Sequence, residues 1–521
     1  MFKDLLSVGG FTLLSRMTGF LRDVMLGAVL GAGWLADAFY IAFRLPNHFR
    51  AIFGEGAFNA AYVPSYARVL QTEGPARAKT FSSQIFTLLL ISQLGLLALA
   101  WAFTPQLINL LAPGVEADPQ KFAAALTMTR ITFPYLACIT LVTLHAGTLN
   151  ANRRFAAAAF APVLLNIVMM AFLGVAFLFP DAGIAAAVGI TVSGIAQLAL
   201  VMVDARRNNI LEGVARPRWD ADVKQFFTAL GPAVIGSAGV QIALFADTII
   251  ASLLPTGAIS SIYYADRIYQ LPIGVIGIAA GTVLLPEMSR RLAANDSDGA
   301  FSAQNRTMAL TIALSMPFFV AFLMIPDLIM QGVFLRGRFT LEAAQASANV
   351  LAAYGIGLLA VVLIASARAS FQSLGDTRTP MLVSLAAVGA NVVLKLMLYG
   401  SLGAVGLATA TAIGAWVNLL LLVALALRSG SMRIDPLLAK VLAASGVAGL
   451  ALALATFFVR DAVLQLANSL PMLRSETALL ADGLLGMIVY SVGLMIVLRL
   501  LGISPRSLMG RDATGRAKII P

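Results

Sequence analysis

Residues 80–103 read TFSSQIFTLLLISQLGLLALAWAF, twenty-four positions without a single charged side chain. As an α-helix rising 1.5 Å per residue, this run spans about 36 Å, enough to cross roughly 30 Å of hydrocarbon. Similar runs recur along all 521 residues. Hydrophobic residues make up 59% of the chain and charged residues 12%, whereas a soluble domain carries about 25% charged residues because its surface meets water. The alternating segments of about 10 residues that mark a membrane β-barrel are missing. The sequence therefore predicts an all-α polytopic membrane protein. Spans fall near 8–30, 34–66, 80–103, 122–148, 156–179, 182–203, 225–253, 259–288, 307–326, 346–373, 380–399, 402–427, 437–459 and 477–500. The first is too long and too rich in arginine for a cleaved signal peptide.

The net charge of +11 would suit a nucleic-acid partner if it were clustered on one face, but its distribution gives another reading. The N-terminus, the even-numbered connections and the C-terminal tail hold 23 Lys and Arg residues, and the odd-numbered connections hold five. Under the positive-inside rule this bias puts both termini in the cytoplasm. The charge is then a topology signal, and no nucleic acid is needed to explain it. One cysteine, Cys138, and two distant histidines, His48 and His145, exclude an internal disulfide and give no metal-ligand spacing. His145 reads as a core or interfacial residue rather than a ligand.

The chain also repeats. Arg22-Asp23-Val24-Met25 returns 224 residues later as Ala246-Asp247-Thr248-Ile249, and Gly33 with Tyr40 match Gly257 with Tyr264 at the same offset. Leu45-Pro46 recurs as Leu271-Pro272, and Val63-Pro64 resembles Leu285-Pro286. Six spans per repeat is an even number, so both halves enter from the same side, as in transporters whose site lies between parallel halves. The repeat divides the chain into lobes 1–215 and 216–430, two extra spans within 431–505 and a cytoplasmic tail 506–521.

Eight basic residues remain inside spans: Arg16, Arg22, Arg44, Arg50, Arg130, Arg267, Arg368 and Lys395. Each costs roughly 2.5–3.5 kcal/mol at a helix centre, so eight exposed to lipid would cost on the order of 20 kcal/mol. The acids in the spans are fewer: Asp23, Asp37, Glu55, Asp247, Asp266 and Glu287. Arg130 and Arg368, near span ends, suit snorkelling. Arg16, Arg22 and Arg50 suit a watery cavity, where the planar guanidinium grips phosphate through two parallel bonds. Pro46, Pro64, Pro134, Pro162, Pro272, Pro286 and Pro380 are expected to interrupt their spans around such a cavity. No Gly-rich phosphate loop ends in Lys-Ser or Lys-Thr, and no nucleophile has a base beside it. A transporter of an anionic lipid-linked substrate is expected, not an enzyme.

These residues carry a resemblance. SRMTGFLRD at 15–23, DAFY at 37–40, RLPN at 44–47, RAIFGEGAF at 50–58, YYADR at 263–267 and GTVLLP at 281–286 resemble the signatures of the MurJ (MviN) lipid II flippases. LGDTRTP at 374–380 fits too, although related exporters share it. The resemblance covers nearly the whole chain. It implies the fold of the multidrug/oligosaccharidyl-lipid/polysaccharide exporter superfamily, with two six-helix lobes around a cationic cavity. It implies that lipid II, an undecaprenyl-diphosphate glycolipid, moves to the outer leaflet of the bacterial inner membrane by alternating access, feeding peptidoglycan synthesis alongside other cell-wall proteins. By that resemblance Arg16, Arg22, Arg50 and Arg267 are the cavity arginines, Asp37 and Glu55 fall on its acidic positions, and spans thirteen and fourteen form the lipid-tail groove. Asp23, Asp247, Asn391 and Lys395 are the candidates for conformational or ion coupling. Some members bind sodium between the second-half Asp and an Asn-x-x-x-Asp; here Asn391 is followed by Lys395, whose ammonium can stand in the cation's place beside Asp247. Sodium or proton coupling is left open, and no other cofactor is expected. The alternative function is a flippase for another polyprenyl-diphosphate oligosaccharide, or a small-molecule antiporter of the same superfamily.

Overall fold

The computed structural model describes residues 2–50, 57–467 and 474–503, and every regular element among them is helical. In chain order the helices are α1 (Phe2–Leu30), α2 (Trp34–Arg50), α3 (Ala57–Glu73), α4 (Pro75–Ala102), α5 (Thr104–Leu111), α6 (Pro119–Ala151), α7 (Ala156–Gly174), α8 (Ala182–Arg207) and α9 (Ala221–Ser252). They continue as α10 (Ala258–Pro272), α11 (Ile278–Ala293), α12 (Ser297–Met324), α13 (Pro326–Phe334), α14 (Leu341–Gln372), α15 (Arg378–Arg428), α16 (Pro436–Ala467) and α17 (Arg474–Leu500). Among the described residues, ten helices are long and apolar enough to cross a membrane by length and composition. On these helices large apolar side chains point outward: Ile91, Leu94 and Leu99 of α4 are each more than half exposed, as hydrocarbon-facing residues should be. The helices outside that set include α1 and α2, which carry Arg16, Arg22, Arg44, Asp23 and Asp37.

Each expected span falls on a helix or on two in succession. Spans eleven and twelve share α15, where Gly403 alone leaves helical geometry (φ +55°), a conformation open to glycine because it lacks a Cβ. Span eight is α10 and α11 joined by a π-helical turn, Ile273–Gly277, directly after Pro272. The expected interruption by proline holds there. Pro134 and Pro162, in contrast, lie inside unbroken helices, and Pro380 sits in the first turn of α15. A proline removes one backbone donor, and neighbouring helices can supply the freed carbonyl with other partners. Pattern reading missed the short helices α5 and α13. Each has a proline in its first two positions, Pro105 or Pro326, and they follow the third and ninth spans, as the repeat requires.

The chain packs as two compact units, one of residues 1–260 with 336–340 and one of 261–335 with 341–521. The lobe boundary expected from the repeat was 215/216; by packing, α9 goes with the first unit. The reason is chemical. Asp222 at the start of α9 bonds Arg68 of α3 at 2.8 Å and Arg77 of α4 at 2.7 Å, and Arg77 also reaches Asp220 at 2.9 Å. Beneath them Phe226 packs edge-on to Phe58, Tyr62 and Phe81 within an apolar cluster.

The connection before α9 is fastened in the same way. Gly213 and Ala215 donate backbone N–H bonds to Ser83 (3.2 Å) and Thr87 (2.9 Å) of α4. Glu212, 4% exposed, turns inward to His145 Nδ1 at 2.6 Å and accepts from Thr148, whose hydroxyl also meets Tyr62 Oη at 2.7 Å. His145 is thus a core residue of α6. In the second unit, α12, α14 and α15 pack in succession, α16 and α17 pair with each other, and α16 lies on α12.

Candidate functional site

In the first unit the site is built around α1, and Asn166 of α7 organises it. Asn166 Nδ2 donates to the Ser15 carbonyl (3.0 Å) and to Thr18 Oγ1 (3.1 Å), while its Oδ1 accepts from Arg22 Nη1 at 2.9 Å. Gly19 allows this approach, since a Cβ there would meet the Asn166 amide at 3.4 Å. Arg22 also donates to Asp23 Oδ1 through Nε (3.1 Å) and Nη2 (2.7 Å). Its side chain is 13% exposed and that of Asp23 5%. A long cation is therefore held in one orientation at membrane depth before any ligand arrives, and the rotamer entropy is already spent. Arg16, six residues earlier, is exposed. It is offset from Arg22 by about 120° around the helix.

The other candidates fall in different places. The side chain of Arg50, and Glu55 entirely, lie outside the described residues. Arg44 reaches Thr248 of α9 at 3.3 Å. Asp37, which the resemblance sets on an acidic position of the family, is 0% exposed. Its Oδ2 accepts from Gly257 N–H at 2.7 Å, and its Oδ1 accepts from Ser260 N–H and Oγ at 2.8 Å each. Lys121 Nζ lies 3.9 Å away and also meets Thr256 at 3.3 Å. Asp37 is thus a structural tie on the turn after α9. That role is invisible in sequence, because its partners lie 220 and 223 residues away.

In the second unit, Arg267 of α10 pairs with the neighbouring Asp266 at 3.2 Å and lies over the Tyr263 ring at 4.7 Å. Its side chain is 37% exposed. Arg130 is exposed, consistent with snorkelling, and Arg368 is half-buried with Ser384 at 3.4 Å. Lys395 is 2% exposed on α15, and Asn391, one turn earlier, has a buried Oδ1 without a hydrogen-bond partner. Asp247 of α9 is half-buried. An ammonium offers three donors and no lone pair, so Lys395 itself is no ligand for a cation.

Outside the spans, the 374–380 string acts as a helix start. Asp376 Oδ1 accepts from the N–H groups of Arg378 and Thr379 at 3.0 Å each. Thr379 above all, through its hydroxyl and its N–H, holds the Asp376 carboxyl below the usual carboxylate range. Sequence reading missed Asn166, although a lone amide in the apolar run PVLLNIVMM (162–170) was a usable signal. It also missed Glu212 and Asp482, neither of which it named, although Asp482 lies within the span 477–500.

Comparisons with known proteins bear on this arrangement. A family model described as lipid II flippase MurJ matches residues 26–473, a range that leaves Arg16 and Arg22 to be judged on their own geometry. A protein of Rhizobium meliloti (strain 1021) named "Probable lipid II flippase MurJ" is 43% identical over 446 residues, covering 84% of this chain and 83% of its own. The lipid II flippase MurJ of Burkholderia cenocepacia is 33% identical over 437 residues, covering 81% and 83%. Among solved structures, a lipid II flippase MurJ in an inward closed conformation matches with a TM-score of 0.78 at 23% identity, over 95% of this chain and 99% of its own. An inward-facing multidrug resistance MATE transporter of the MOP superfamily matches at 0.67 and 12%, over 81% and 97%. At these identities the two structures speak for the fold.

Proposed function

The chain belongs to the lipid II flippase MurJ family, and on that premise we propose that Arg16, Arg22 and Arg50, with Arg267, hold the diphosphate of lipid II while it crosses the bilayer. As a flippase the protein is a multi-pass membrane transporter; it relocates its substrate and makes or breaks no bond in it. The observation that carries the residue assignment is Arg22, fixed by Asp23 and Asn166 at membrane depth. A guanidinium held in place is already oriented when phosphate arrives, so gripping it takes little further ordering. Asp23 has a second role, as a resident anion that competes with the diphosphate and so allows release. The lobes turn by alternating access, with spans thirteen and fourteen taking the polyprenyl tail. Enzymes that consume lipid II at the outer face are the expected partners.

Both termini face the cytoplasm in this reading, on the 23-to-five basic asymmetry. Cysteines placed at Glu116 and at Ser297, in a variant lacking Cys138, should then label from opposite sides with an impermeant thiol reagent. Depletion in cells should make lipid-linked precursor accumulate on the inner leaflet. Arg22→Ala should insert at normal levels and fail to replace the wild type, and Arg22→Lys should restore function only in part, because lysine lacks the planar fork. Growth on Arg22→Ala at wild-type abundance would remove the assignment.

A further inference from the structure

Between α12, α16 and α17 of the second unit lies a cavity of about 800 Å³ walled mainly by apolar side chains, among them Leu314, Phe318, Leu452, Leu484 and Met487. One wall residue is of a different kind. Asp482 of α17 lines the cavity, is 3% exposed, and its Oδ1 is buried without a hydrogen-bond partner. The neighbouring polar wall residue, Tyr490, is already satisfied, donating to the Ala313 carbonyl at 2.7 Å. Arg460 of α16 is the cation that acts on Asp482 electrostatically, yet its guanidinium is bonded to Asp327 at the start of α13. Arg460 lies seven residues from the end of α16 and Asp482 eight from the start of α17. At 1.5 Å per residue, both stand about 10–12 Å from the same end of the helix pair.

A buried carboxylate oxygen without a donor costs free energy, so the cavity calls for a ligand that brings one. A hydrocarbon tail brings none. A water molecule held by Asp482 and a wall hydroxyl of Thr456 or Ser491 would leave the apolar volume unfilled. Among the described residues no three His, Cys, Asp or Glu side chains gather to hold a metal ion. A lipid carrying both a phosphate and a primary ammonium meets each demand. Its chain fills the apolar volume, its N–H groups donate to Asp482, and its phosphate takes donors that Arg460 does not spend on Asp327. We propose that this cavity binds an aminophospholipid, read at its head group by Asp482 with Arg460, as the resident occupant when no substrate tail is present. The sharing of the cavity rests on the reading that spans thirteen and fourteen take the polyprenyl tail, whereas the head-group preference does not, and the test measures binding, not transport.

The full-length protein, delipidated in detergent, would be titrated with phosphatidylethanolamine, its N,N,N-trimethyl counterpart and phosphatidylglycerol of identical acyl chains, followed by native mass spectrometry and thermal shift. Loss of the N–H donors should weaken retention about tenfold, the value of a hydrogen bond to a charged group. Asp482→Asn should abolish the preference while keeping binding of the chains. Equal retention of the three lipids by the wild type overturns the proposal without recourse to any variant. So does an ethanolamine preference that survives in Asp482→Asn, which would place the head group elsewhere. A polyprenol without a head group that displaces none of the bound phosphatidylethanolamine would also refute the shared-cavity occupancy.

Discussion

Replacing Glu212 by alanine should destabilise the first unit more than most substitutions at arginine positions. The side chain is 4% exposed, and each of its oxygens is engaged, Oε2 with His145 Nδ1 at 2.6 Å and Oε1 with the Thr148 hydroxyl. His145 is itself 0% exposed, and its Nε2 has no hydrogen-bond partner. The substitution therefore leaves an imidazole in the core with both nitrogens unsatisfied. Removing one member of a buried pair of this kind costs about 3–5 kcal/mol, in line with two bonds to a charged group at roughly 1.5–3 kcal/mol each. At about 2 °C per kcal/mol for a unit of this size, Tm should fall by about 6–10 °C. Thermal unfolding of the purified protein in detergent measures this directly. Hydrogen exchange should rise along 208–220 as well, because the Gly213 and Ala215 bonds to α4 depend on the connection staying in place. Glu212→Leu combined with His145→Leu should cost less than either change alone, since an apolar pair leaves no buried polar group without its partner. A fall below about 2 °C for the single variant, or additivity in the double, would refute the reasoning.

Asn166→Leu should keep the volume of the α1–α7 contact, cost about 1–2 kcal/mol of stability, and reduce complementation far more, because Arg22 loses its orientation; complementation at full strength with normal insertion counts against this. Asp23→Asn should tighten retention of a diphosphate lipid and slow its turnover, as read by native mass spectrometry beside a flipping assay. Burial opposes ionisation of Asp220, but the Val223 N–H and Arg77 outweigh it, and its carboxyl sits below its ordinary value of 3.8. Such an acid stabilises the fold fully above that value and stops doing so as pH falls through its lower folded one. Asp220→Asn should thus lower Tm at pH 7 and converge with the wild type only once pH has fallen through the folded value, which lies below 3.8. Flipping in proteoliposomes should be indifferent to sodium, and Lys395→Asp, which restores an oxygen ligand, should introduce sodium-dependent stabilisation on heating.

The spans were legible because hydrophobic length is a local quantity. A run such as 80–103 announces its helix without reference to anything else in the chain. The repeat was legible for a related reason, since Gly257 and Tyr264 keep the spacing of Gly33 and Tyr40. What could not be read was which charges are partnered. Asp37 looked like an acid facing a cavity and is instead enclosed by Gly257 and Ser260. Arg22 was expected in the site, but its holder Asn166 lies 144 residues away, and nothing in the local pattern couples them.

The distinction has a physical basis. Moving a helix from water to lipid depends on the sum of its side-chain transfer energies, and a sum can be taken along the sequence. The cost of an intramembrane charge depends on what stands within a few ångströms of it, which only packing decides. The eight intramembrane basics therefore sort after folding into different kinds. Arg22 has its orientation fixed by partners within its own unit, Arg130 stays exposed, and Lys395 is almost wholly buried. A carrier of diphosphate needs the first kind most. A freely moving arginine would bind phosphate only after losing its rotamer freedom, and a fully neutralised one would not bind it at all. Under the proposed assignment Arg22, oriented by Asp23 and Asn166, is of that first kind.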